Sequence, residues 1–144
     1  MNTIKVEKVV NRIFIYGLLL AFLDQFSKVF VQNYTEIPVS FNKGIAFSIP
    51  VPGGIQIFFT SLVLLLIIVY ASRIVAAELT PRNKYIATLS LSCIFGGGLG
   101  NLMDRINLGH VVDFIDVGFW PIFNLADSFI TVGAILLGVL WLRK

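Results

Sequence analysis

Carboxylates mark where this chain could do chemistry. Of its eight acidic residues, Asp24, Glu36, Asp104, Asp113, Asp116 and Asp127 lie at or near one set of ends of its long apolar segments, while Glu7 and Glu78 lie at the other. In LDQFSK, Asp24 and Lys28 are four residues apart and share a helix face. A lone charge in hydrocarbon costs roughly 2.5 to 3.5 kcal/mol, so this pair needs each other or water. It reads either as a structural ion pair with Lys28 snorkelling to the interface or as the polar wall of a site. In FGGGLGNLMDR, the spacing gathers Asn101, Asp104 and Arg105 on one face, and the preceding glycines suit close helix packing. Asp104 serves equally well there as a structural clamp. Finally, VVDFID and FNLAD bring Asp113, Asp116 and Asp127 into one outer region. Two carboxyls held together do not both ionise easily, so one keeps a proton while its partner acts as a base, which is what acid–base hydrolysis requires. A local role competes for Asp127: with Asn124 as the cap, it becomes the third residue of a helix and satisfies free N–H groups.

Other reactive residue types offer less. His110 is the sole histidine and has no Ser, Cys or second His partner near it in sequence, which argues against a triad or a metal site. The single cysteine, Cys93, lies in an apolar run and reads as packing. Tyr34, Phe119 and Trp120 fall at span ends, where aromatic belts form.

The elements that must position these groups are membrane spans. With 57% hydrophobic residues, 13% charged residues and a mean hydropathy of +0.88, the 144-residue chain is too apolar for a water-soluble domain. Its net charge of +3 does not point to nucleic acid, because the basic residues are scattered at the ends of apolar runs. The sequence predicts an all-α membrane protein of one domain over 1–144, with four transmembrane helices near 13–31, 55–76, 85–103 and 122–142. The turn-rich stretch 35–54, with alternating VSF and IAFSI around Asn42, Lys43 and Gly44, predicts a small extracytoplasmic β element. No small-residue cleavage site follows the first apolar run, so it reads as an uncleaved helix. Four spans put both termini on one side, which then holds eight Lys and Arg against three on the other, so both termini are expected in the cytoplasm.

Five blocks in order, LDQFSK, FNKGIAFS, GGGLGNLMDR, VVDFID and FNLAD, closely resemble the signature blocks of the lipoprotein signal peptidase (signal peptidase II) family. The resemblance implies an intramembrane aspartyl endopeptidase of the bacterial inner membrane, active at the outer face. It would remove signal peptides from prolipoproteins by cutting before a diacylglyceryl-modified cysteine. It implies no cofactor and no metal, and inhibition by globomycin-type compounds; a monomer in contact with membrane lipid and without a nucleic-acid partner is the accompanying expectation. It assigns the catalytic pair to Asp113 and Asp127, a choice over Asp104 and Asp116 that residue spacing alone leaves open. It also assigns substrate-binding or supporting roles to Asp24, Lys28, Asn42, Gly44, Asn101, Arg105, Asn124 and Ala126, and it implies an outer β cradle around Asn42 with a mobile covering segment near it. Two departures bear on specificity: Ile45 stands where alanine is usual, and the stretch from Asp113 to Asp127 is short. Two readings from other classes are an ion-coupled transport subunit, which predicts acids at midplane depth and internal repeats, and a structural assembly partner whose polar residues only glue helices.

Overall fold

A computed structural model describes residues 3–44, 49–77 and 80–142. Ile45, Glu78, Arg143 and Lys144, which figure in the expectations above, lie outside the described residues. The elements in order are α1 (Thr3–Tyr34), β1 (Ser40–Asn42), α2 (Gly53–Ala76), α3 (Pro81–Leu108), β2 (Val111–Asp113) and α4 (Leu125–Leu142). All four helices are long and apolar enough to cross a membrane.

One helix is central and three surround it. Within the most apolar stretch of α3, 72% of residues are buried inside the protein, against 28%, 22% and 17% for α1, α2 and α4. The outer helices therefore turn most of their apolar surface to lipid, and α3 supplies the contact surface that joins them. Leu91, Phe95 and Leu102 of α3 pack with Ile13 of α1, Leu64 and Ile67 of α2, and Leu140 of α4. Glycines set the approach of α3 to its neighbours. A Cβ added at Gly97 would fall on the carbonyl oxygen of Ala126 in α4, and one at Gly100 would lie 2.6 Å from Asp24 Oδ2 in α1. Backbone thus sits where side chains would hold the helices apart.

Local chemistry fixes the ends of α3. Thr80 Oγ1 accepts from the Asn83 N–H at 3.1 Å, and Pro81 occupies the first helical position, where its missing N–H costs nothing. At the other end Gly109 adopts φ 73°, the left-handed conformation that closes a helix, and its N–H returns to the Arg105 carbonyl. The chain then runs directly into β2, which pairs antiparallel with β1 in the register Ser40 with Asp113, Phe41 with Val112 and Asn42 with Val111.

This two-stranded sheet is the small β element that the sequence predicts. Of the stretch 35–54, the described strand is the three residues Ser40–Asn42, and its partner is the segment just after α3. Span limits shift. Helix α1 extends beyond 13–31 at both ends, α3 continues past 103 to Leu108, and α4 begins at Leu125. The start at 122 fails because Phe123 is held in an antiparallel bridge to Ile115, with backbone bonds of 2.8 and 3.1 Å.

Candidate active site

The site is assembled at the start of α4. Asn124 precedes the helix, and its Oδ1 accepts from the Asp127 N–H at 2.9 Å, while Asp127 Oδ2 accepts from the Asn124 N–H at 3.3 Å. This reciprocal cap is the one expected from spacing, and it fixes the Asp127 side chain against its own helix start. A third free N–H, that of Ala126, donates to Asp24 Oδ1 at 2.9 Å. Helix α1 thereby supplies an anion to the positive end of α4.

Asp113 arrives from β2. Its Oδ1 accepts from Asn124 Nδ2 at 2.7 Å and its Oδ2 from Asn42 Nδ2 at 3.2 Å. Asn124 is fully buried and so touches both aspartates, one through its side-chain amide and the other through its backbone and carbonyl oxygen. Asn101 of α3 completes the frame: its Nδ2 donates to Asp127 Oδ1 at 2.8 Å, and its Oδ1 accepts from Asn124 Nδ2 at 3.1 Å. Asp113 and Asp127 line one cavity of about 500 Å³, together with Ser40, Asn42, Asn101, Arg105 and apolar residues that include Trp120, Ile122 and Ile130. Burial pushes the Asp113 carboxyl up to about 6, and the negative charge of Asp127 pushes the same way. Hydrogen bonds from Asn42 and Asn124 and the Lys28 charge oppose the rise without cancelling it. Asp113 therefore holds its proton more tightly than a free carboxyl does.

Behind the cavity lies a buried ionic layer. Lys28 Nζ is 2.7 Å from Asp24 Oδ2 and 2.8 Å from Asp104 Oδ2, and it donates to Asn101 Oδ1 at 3.1 Å. Lys28 is 2% exposed, so the snorkelling expected of a structural pair does not occur. The charge stays inside because two carboxylates and an amide surround it. Asp104 also accepts from the Val112 N–H at 3.2 Å, which anchors β2 to α3. Among the described residues, no buried side-chain polar atom lacks a partner.

The structure thus sorts the candidate residues. Asn42, Asn101, Arg105, Asp113 and Asp127 share the cavity. Asn124, Lys28, Asp24 and Ala126 stand behind it in one connected hydrogen-bond network. Gly44 receives Arg105 Nη2 at 3.4 Å through its carbonyl, and its own N–H donates to Asn42 Oδ1 at 2.9 Å. Asp116 is elsewhere: it is exposed and accepts from the Gly118 N–H in a surface turn. Two glutamines escaped the sequence reading. Gln25 Nε2 donates to Asp104 Oδ1 at 2.8 Å, and Gln56 Oε1 accepts from Arg105 Nε at 2.6 Å. Each is an amide at the polar end of an apolar span, and that signal was available. Among the described residues, no group of three or more His, Cys, Asp or Glu could hold a metal ion.

The family model for signal peptidase II matches residues 16–143, a range that contains every residue of the cavity and the ionic layer. The chain belongs to the signal peptidase II family. Among its relatives, the lipoprotein signal peptidase of Syntrophomonas wolfei is 40% identical over 134 residues, covering 92% of this chain and 85% of that protein. That of Halothermothrix orenii is 36% identical over 138 residues, covering 87% and 91%. A bacterial membrane enzyme solved by the in meso method at 2.3 Å superposes with a TM-score of 0.77 at 26% identity, over 91% of this chain and 87% of that one. A second, solved at 1.9 Å, gives 0.74 at 26% identity, over 92% and 93%. This member of the signal peptidase II family is therefore a peptidase of the aspartic type and a multi-pass bacterial membrane protein. The transport and purely structural readings are set aside by that membership.

Proposed function

We propose that this peptidase removes the signal peptide from prolipoproteins, cutting the bond just before a diacylglyceryl-modified cysteine, with Asp113 and Asp127 as its catalytic pair. The observation that carries the reading is the cavity in which both carboxyls are held by Asn124 while the Asp113 carboxyl is raised to about 6 beside the Asp127 charge. Asp127 takes a proton from the water that attacks the scissile carbonyl, and Asp113 donates its proton to the developing oxyanion. Asn101 and Asn42 orient the two carboxylates, and the Arg105 guanidinium offers donors to the substrate backbone. Substrate entering the cavity displaces water, which strengthens the preference of Asp113 for its proton.

The physical form of the substrate suits this depth. Two acyl chains remain in lipid against the apolar outer faces of the helices while the polar peptide reaches the cavity at the helix ends. The chain works as a single domain over 1–144, as a monomer, with both termini in the cytoplasm and the cavity at the outer face of the bacterial inner membrane. The excess of Lys and Arg at the opposite helix ends supports that orientation. Globomycin-type inhibitors compete for the same cavity.

Purified protein in lipid is given a synthetic prolipopeptide with a diacylglyceryl cysteine, and the same peptide without lipid, and products are read by mass spectrometry. Cleavage of the lipidated peptide alone, leaving the modified cysteine as the new N-terminus, is expected. Cleavage at another bond, or equal cleavage of both peptides, would overturn the assignment.

A further inference from the structure

Gln56 is a polar side chain near the start of the most apolar helix, α2, it is 5% exposed, and the reaction as described gives it no part. Both of its amide hydrogens and one lone pair of its oxygen are committed. Its Nε2 donates to the carbonyls of Lys43 and Val51, at 2.9 Å for the first, so both amide hydrogens point at the connection between β1 and α2. That leaves Oε1 one direction to face, and there it accepts from Arg105 Nε at 2.6 Å. The amide cannot turn over without placing its NH2 against a guanidinium and its oxygen against two carbonyls.

The guanidinium on the other side of this bond reaches the cavity. Arg105 lines it beside Asp113 and Asp127, with Nη1 on the Asn101 carbonyl at 3.3 Å and Nη2 on the Gly44 carbonyl at 3.4 Å. Those two bonds are long for charge-assisted contacts, whereas the bond to Gln56 is short, so Gln56 holds the plane of the Arg105 fork. Its hydrogen bonds reach Arg105 in the cavity wall and the Lys43 carbonyl, next to Gly44, whose N–H donates to Asn42 Oδ1.

We propose that Gln56 is a positioning residue for substrate binding: it orients the Arg105 guanidinium toward the cavity and ties that orientation to the strand carrying Asn42. The proposal rests on the catalytic reading above and extends it to substrate recognition. Removing the amide leaves the two aspartates and their Asn101 and Asn124 partners in place, so binding suffers and the chemical step does not.

The test is steady-state kinetics on the lipidated prolipopeptide for the parent, Gln56→Leu, Gln56→Glu, Arg105→Lys and the Gln56→Leu/Arg105→Lys double variant, with thermal unfolding of each. Asp127→Asn serves as the control for the catalytic reading. Gln56→Leu is expected to raise KM about tenfold with kcat within about twofold, on the scale of one lost bond to a charged group. Gln56→Glu keeps an acceptor for Arg105 and raises KM by less than Gln56→Leu, even where repulsion from the two carbonyls lowers its melting temperature. The double variant loses no more than the worse single one, because both changes remove the same orientation. A parental KM in Gln56→Leu, a lower melting temperature as its only defect, a KM in Gln56→Glu as high as in Gln56→Leu, or additive losses would each overturn the proposal. Should Asp127→Asn still cleave, the catalytic reading itself falls; should it be inactive while Gln56→Leu matches the parent, only the role of Gln56 falls.

Discussion

Replacing Asp113 by asparagine measures what burying a carboxyl at that position does to the fold. The side chain is 2% exposed, and its carboxyl is raised from 3.8 to about 6, first by burial and then by Asp127. A rise of about 2 units corresponds to ~3 kcal/mol between protonation states. Because the folded state holds this proton more tightly than the unfolded chain, the associated stability is fully present below about pH 4. It is lost as pH rises through about 6. Asparagine carries no charge and so escapes that loss, but it has one acceptor oxygen for the two bonds now donated by Asn124 and Asn42, a cost of ~1 kcal/mol. The expected result is a change of sign. Below about pH 4 Asp113→Asn is less stable than the parent by ~1 kcal/mol, and above about pH 6 it is more stable by ~2 kcal/mol. Thermal unfolding in detergent across that range, followed by tryptophan fluorescence, reads the difference. A stability difference that does not vary with pH, or one that favours the parent more as pH rises, would refute the electrostatic account of the pair.

Three further outcomes follow from the same geometry. Lys28→Met leaves Asp24 and Asp104 buried without their shared cation, so it should lower stability by about 3 to 5 kcal/mol, seen as a large fall in melting temperature. Gly100→Ala puts a Cβ against Asp24 Oδ2 and should cost about 1 to 3 kcal/mol by thermal unfolding, since the contact is a buried ion pair and not a flexible surface group. Asn124→Leu removes the donor to Asp113 and the cap on Asp127, and should lower kcat at least about a hundredfold in the prolipopeptide assay. A variant that keeps more than half the parental kcat would show that Asn124 is not needed to hold the pair.

What was legible in the sequence was local or periodic. Span positions follow from runs of apolar residues, and the Asn124–Asp127 cap follows from a spacing of three, because both depend on near neighbours in the chain. The pairing of Ser40–Asn42 with Val111–Asp113 was not legible: three-residue strands carry almost no pattern, and their partners are some seventy positions apart. Spacing also left Asp104, Asp113 and Asp116 equivalent. Their surroundings separate them, since Asp104 is spent on Lys28 and the Val112 N–H, Asp116 on a surface turn, and Asp113 opens onto the cavity. For Lys28 the sequence raised the right question of partner or water, but only packing could supply a second carboxylate from α3.

Catalysis by two carboxyls acting on one water is tested most directly by a panel of single carboxamide substitutions. Asp113→Asn, Asp127→Asn and Asp116→Asn are compared with the parent for cleavage of the lipidated prolipopeptide, each first shown to be folded by thermal unfolding. Asp113→Asn and Asp127→Asn should each lose at least about a thousandfold in kcat, while the exposed Asp116→Asn keeps the parental rate. Substantial cleavage by folded Asp113→Asn or Asp127→Asn would contradict it.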